Sequence, residues 1–164
     1  MNMSDRIGIM NRGRVEQVGA PTEIYERPTS TFIGRFLGEA NLLEGELREV
    51  AGQDATMVLA GHVAFRATVP KRIAPATRVT LFVRPERVRI LAADAGAGSS
   101  DAQMNVTTGR IRRRSFLGNV NRYVVEVAGA EMTVDVQNAG ARSFEPREPV
   151  TLSWAVRDSL ILEA

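Results

Sequence analysis

The chain has 164 residues, 44% of them hydrophobic and 24% charged, the balance of one ordinary soluble domain or two very small ones with enough apolar content to bury a core. Lys and Arg number 21 against 19 Asp and Glu, a net charge of +2 in which Lys71 is the only lysine; so slight an excess speaks against a domain built to grip a nucleic-acid backbone. Cysteine is absent, which excludes disulfides, thiol catalysis, iron–sulfur clusters and Cys-ligated zinc, and no run approaches the ~20 apolar residues of a membrane span.

The opening MNMSDRIGIM lacks the pattern of a signal peptide, so the chain reads as cytosolic. RIGIM and RVEQV flank Asn11, Arg12 and Gly13, a short connection that closes a β-hairpin with Gly13 free to take positive φ. Pro21 suits the first position of a helix, because its missing N–H would have no intrahelical partner there. Thr22 to Arg27 then complete about one and a half turns before Pro28 disfavours helical geometry at the preceding residue. A second short helix starts with Ser30 as N-cap, carries Phe32, Ile33, Phe36 and Leu37 as an apolar stripe expected to be core, and ends at Gly38.

From Asn41 onward the pattern turns to short alternating runs. Strands are expected near 41–50, 55–60, 62–69 and 77–91, followed by the small-residue spacer AADAGAGSSDA. Further strands are expected near 105–114, 121–128, 131–136, 149–156 and 159–163. VTLFVRPERVRIL at 79–91 lies over VTLSWAVRDSLIL at 150–162, and the Gly45 to Arg48 run resembles Gly109 to Arg112. The halves therefore read as duplicates, each a curled unit of about five strands of the kind OB-type barrels use to avoid open edges. Trp154 is expected in the core.

Little in the sequence carries chemistry. Lys71 is preceded by Pro70 and followed by Arg72, so no phosphate-binding loop of the Walker A kind is present. The lone His62 reads as a turn or strand-edge residue, and one ring cannot build a triad or a multi-histidine metal site. Arg110, Arg112, Arg113 and Arg114 form a dense basic cluster, but Phe116 and Tyr123 are the only aromatics nearby, too few for a base-stacking surface, so a solvated rim or contacts to acidic groups is the better reading. Glu86, Glu126 and Glu131 lack a complementary His or Cys, and Asp135 and Asp158 suit strand ends and turns. No catalytic, cofactor-binding or metal residue is assigned.

Residues 4–45, SDRIGIMNRGRVEQVGAPTEIYERPTSTFIGRFLGEANLLEG, closely resemble a stretch of the ATP-binding subunits of ABC importers of the spermidine/putrescine, maltose and iron(III) type. In that family the stretch follows the switch histidine. VRPERVRI at 83–90, RRRSFLGNVNRYVVEV at 112–127 and PVTLSWAVRDSLIL at 149–162 are similar to parts of the family's C-terminal transport-associated OB (TOBE) domain. The resemblance implies a mainly β fold: two OB-like small barrels or half-barrels, preceded by a β-hairpin and two short helices left from an ABC nucleotide-binding domain. The domains would be residues 1–40 and 41–164, the second with halves near 41–91 and 104–164 and a linker near 92–103.

The family's P-loop, Gln loop, signature, Walker B carboxylates and switch histidine all precede the matching stretch, so the resemblance implies no enzyme and no cofactor in this chain. It implies a regulatory and dimerisation module: a homodimer through the OB-like domain, acting with ABC permease subunits and a nucleotide-binding half. It would be cytoplasmic, peripheral to the inner face of the membrane when assembled. The alternative is a free-standing sensor whose cleft binds an oxyanion or a polyamine-like effector. If 7–18 is the last hairpin of a larger sheet, Ile7, Ile9, Val15 and Val18 lose cover and residues 1–40 are the least stable part.

Overall fold

A computed structural model describes residues 4–59, 63–69, 74, 77–93, 102–138, 140 and 142–163; His62, Lys71 and most of the expected spacer lie outside them. The first strands, β1 (Ile7–Asn11) and β2 (Arg14–Gly19), pair antiparallel. Their two-residue turn places Arg12 at φ 48° and Gly13 at φ 77°, the doubly positive geometry whose twist matches a right-handed strand pair. Helix α1 (Pro21–Glu26) has Pro21 in its first turn. Helix α2 (Thr31–Phe36) is capped by Ser30, whose Oγ accepts from the Ile33 N–H at 3.3 Å.

Ile9, Ile24 and Ile33, with Ile7 and Leu37 against them, form a small core of their own. The apolar stripe of α2 is only half core, which corrects the expectation. Ile33 is fully buried, but Phe32 and Phe36 turn outward, stack on each other with centroids 5.8 Å apart, and are 37% and 62% exposed. Successive helical residues point about 100° apart, and the barrel takes the Ile33–Gly34 side, where a Cβ on Gly34 would lie 3.0 Å from the Phe82 ring.

Ten further strands follow among the described residues: β3 (Asn41–Ala51), β4 (Asp54–Val58), β5 (Ala64–Thr68), β6 (Arg78–Val83), β7 (Arg89–Ala92), β8 (Met104–Phe116), β9 (Val120–Val127), β10 (Ala130–Gln137), β11 (Pro149–Ala155) and β12 (Ser159–Glu163). The run expected as one strand over 77–91 is broken by a 3-10 turn at Pro85–Arg87, and the equivalent run by a turn at Val156–Asp158. Proline cannot donate a ladder hydrogen bond, so the first break falls where Pro85 stands.

These turns pass the chain between the two units. Strands β12-β5-β4-β3-β6 close as a barrel, and β10-β9-β8-β11-β7 form a five-stranded sheet. The halves 41–91 and 104–164 therefore repeat in sequence without closing separately: each unit takes its fifth strand from the other half. The cores merge accordingly, Leu43, Leu47 and Phe65 belonging to one buried cluster with Ile111, Tyr123 and Leu152. Trp154, 1% exposed, packs its ring 5.0 Å from that of Phe65 and donates its indole N–H to Ser159 Oγ at 2.7 Å.

The repeat extends to individual contacts. Asn41 and Asn105, both buried, each grip a strand of the opposite unit with the whole amide. Asn41 accepts from the Thr133 N–H at 2.6 Å and donates to its carbonyl at 2.9 Å; Asn105 does the same to Arg66, at 2.8 Å each way. Four residues on, Gly45 and Gly109 sit where a Cβ would lie 2.6 Å from the Val58 carbonyl oxygen and 2.7 Å from that of Glu126. The β3–β4 register shifts between Leu47 and Glu49, and the β8–β9 register between Ile111 and Arg113.

Candidate interaction site at the joint

The Val83-Arg84-Pro85-Glu86 run, legible in the sequence only as part of a family resemblance, holds residues 4–40 to the barrel. Arg84 leaves the end of β6 and is 3% exposed. Its Nε and Nη2 donate to the Tyr25 carbonyl at 3.2 and 2.8 Å, and its Nη1 to the carbonyls of Gly34, Gly38 and Glu39 at 3.0, 3.3 and 2.9 Å. These are carbonyls at and beyond the C-terminal ends of α1 and α2, where helices leave acceptors unpaired and carry partial negative charge. One guanidinium thus caps both helices, and it lies 3.9 Å from the Tyr25 ring centroid and 4.8 Å from that of Phe82.

Burial holds the Arg84 guanidinium below the usual arginine range, opposed by Tyr25 and Glu86. Glu86 accepts from the Tyr25 hydroxyl at 2.8 Å, and Arg87 pairs with Glu26 at 2.6 Å. Burial and the bond to Glu86 both push the Tyr25 phenol up from its ordinary value. A second link joins Arg122, which bonds Asp135 through two nitrogens at 2.8 Å each, to Glu39 at 3.2 Å. The Asp135 bonds come first in holding this guanidinium above its ordinary value.

The basic cluster on β8 is partnered residue by residue. Arg112 pairs with Glu126, Arg113 with Glu131 at 3.9 Å and Arg114 with Glu145 at 2.8 Å, while Arg110 donates to the Arg147 carbonyl at 2.7 Å. Tyr123, 1% exposed, is unavailable for stacking, whereas Phe116 is 65% exposed at the end of β8. Among the described residues no group of three or more His, Cys, Asp or Glu could hold a metal ion, and no helix is long and apolar enough to cross a membrane.

Between α1, the end of β6 and the β11–β12 turn lies a cleft of about 270 Å³ lined by Tyr25, Glu26, Arg27, Phe82, Arg84, Arg87, Arg157 and Asp158. Sequence reasoning missed it, as it missed the Arg84 clamp, because its walls come from three distant segments. The asparagine clamps left a signal, an Asn-x-x-x-Gly spacing at both 41–45 and 105–109.

Residues 81–162 match the family model of the TOBE domain, and the chain belongs to that family. Over nearly its whole length it is similar to spermidine/putrescine import ATP-binding proteins. That of Pseudomonas aeruginosa is 37% identical over 163 residues, covering 99% of this chain and 42% of that protein. That of Thermotoga maritima is 32% identical over 168 residues, covering 99% and 45%. The chain thus spans less than half the length of these relatives and corresponds to the C-terminal part of an ABC importer ATP-binding subunit. Among solved structures, the cytoplasmic molybdate-binding protein ModG, with molybdate bound, superposes with a TM-score of 0.64 at 17% identity, covering 76% of this chain and 96% of that one. This likeness establishes the mainly β, OB-like fold.

Proposed function

We propose that this chain is the regulatory and self-pairing module of an ATP-binding subunit in a solute-importing ABC transporter, holding two subunits together without taking part in hydrolysis. The observation that carries the reading is the similarity over 99% of the chain, at 37% identity, to a spermidine/putrescine import ATP-binding protein. The Arg84 clamp supports it, because a module that transmits the position of a nucleotide-binding domain must be fixed to whatever that domain contributes, and Arg84 fixes residues 25–39 to the barrel. Its partners are a second copy, permease subunits and a nucleotide-binding half, and it works in the cytoplasm at the inner face of the membrane. It hydrolyses no ATP and needs no cofactor.

A stable self-pairing surface needs about 800 Å² per partner, under a tenth of the 9770 Å² this chain exposes. The face proposed is the end of β8 and the turn that follows it, where Phe116 and Leu117 are 65% and 52% exposed. Sedimentation across a concentration range is the test. A monomer–dimer equilibrium weakened by Phe116→Ser with Leu117→Ser is expected; a strict monomer, or ATP hydrolysis by the pure chain, overturns the reading.

A further inference from the structure

The cleft between α1, β6 and the β11–β12 turn has a charge balance that the joint does not need for its own integrity. Four arginines and two carboxylates line it. Arg87 and Glu26 neutralise each other at 2.6 Å. Arg84 is satisfied by carbonyl oxygens and makes no ion pair among the described residues. The Arg27 and Arg157 guanidiniums, both exposed, have no hydrogen-bond or ion-pair partner among the described residues. Arg27 and Arg157, with Arg84 behind them and its charge offset in part by Glu86, therefore face Asp158, which has no partner among the described residues.

Such a balance decides which ligand charge the cleft accepts. A polyamine would find Asp158 and the already paired Glu26 against an arginine excess, and would be repelled. An oxyanion would find two guanidinium forks free to bind it in bidentate fashion, with the buried charge of Arg84 behind them, where reduced screening strengthens the attraction. Since a water molecule takes about 30 Å³, a cleft of about 270 Å³ admits an oxyanion that carries a small organic group.

We propose that this cleft binds a small, multiply charged oxyanion, a phosphate group free or on a compact phosphomonoester, through Arg27 and Arg157. Arg27 follows α1 and Arg157 lies in the turn that hands β11 over to β12. A ligand held by both ties residues 4–40 to the strand exchange, adding to the Arg84 clamp. The inference is independent of self-pairing, and sedimentation of the same samples reads the two separately.

The test is isothermal titration of the chain with inorganic phosphate and with ribose 5-phosphate at fixed ionic strength, with the melting temperature followed in parallel. Saturable binding is expected, weakened at least tenfold in Arg157→Gln and in Arg27→Gln and unchanged in Arg48→Gln, whose exposed side chain pairs with Glu46. Tighter binding of the ester identifies a metabolite-type ligand, and tighter binding of phosphate the free ion; both support the site. Because sulfate and phosphate raise melting temperatures by exclusion from any protein surface, only the difference between wild type and the arginine variants counts. No saturable binding, equal binding by all variants, or spermidine binding lost in Asp158→Asn overturns the proposal.

Discussion

At the end of β6 the chain reads Arg84-Pro85-Glu86-Arg87, and at the matching end of β11 it reads Ala155-Val156-Arg157-Asp158. Both stretches form a 3-10 turn, and both lead a strand into the opposite unit. Only the first has been adapted for attachment: Arg84 collects four carbonyls from residues 25–39, whereas Ala155 stands at the equivalent place with no side chain to reach anything. The comparison teaches that the duplicated frame and the joint are separable. The frame rests on features present twice, in Asn41 and Asn105, Gly45 and Gly109, and the paired bulges; the joint rests on side chains present once.

The sharpest way to break the comparison is Arg84→Ala. It leaves the carbonyls of Tyr25, Gly34, Gly38 and Glu39 without their shared donor in a largely buried place, a loss of about 3 kcal/mol, while Ala155→Gly costs about 1 kcal/mol or less. Hydrogen exchange reads the outcome: amides of β1, β2, α1 and α2 should lose protection in the arginine variant while Val79 to Val83 keep theirs. Even in wild type the N-terminal amides should exchange faster, since five of the eight large hydrophobic side chains exposed among the described residues, Met10, Val15, Val18, Phe32 and Phe36, lie in this segment. Equal protection of both regions would refute the separation.

A smaller effect tests the frame itself. Gly45→Ala and Gly109→Ala each drive a methyl group to within 2.7 Å or less of a carbonyl oxygen on the neighbouring strand, and each should cost about 2 kcal/mol of overall stability. Asn41→Ala and Asn105→Ala should each cost about 1 to 2 kcal/mol, because each leaves one strand's N–H and C=O unpaired. Denaturant titration checks both pairs, and the prediction is similarity within a pair. An asymmetric result would mean that one unit supports the other.

The duplication, the strand positions and the helix ends were legible in the sequence because they depend on local rules: Ser30 as a cap, Pro21 at a helix start, Gly13 in a tight turn, and alternation along Val79 to Val83. The exchange of β7 and β12 was not, since the run from Arg78 to Leu91 keeps alternating apolar residues on both sides of Pro85 and only the identity of the partner strand changes. The joint was hidden for a different reason. Arg84 reads as a surface residue by type, and its burial depends on helix ends some fifty residues away. Val15 and Val18, expected to lack cover, are indeed 60% and 50% exposed, but Ile9, expected to share that fate, is 7% exposed because Ile24 and Ile33 close over it.

The smallest effect concerns the Tyr25–Glu86 hydrogen bond and has a sign that can be worked out. The phenol of Tyr25 lies above its ordinary value of about 10 in the folded chain, through burial first and then the bond it donates to Glu86. Below pH 10 both folded and unfolded chains carry the neutral phenol, and the contribution of the bond is fully present. Above it the unfolded chain releases its proton first, so stability declines as pH rises through the folded value. Because Tyr25 touches the barrel only through the joint, the decline belongs to the docking of residues 4–40 and not to the unfolding of the strands. Hydrogen exchange resolved by segment, compared between neutral and alkaline solution, should show α1 and α2 loosening before β3 to β12, and Tyr25→Phe should remove most of that difference.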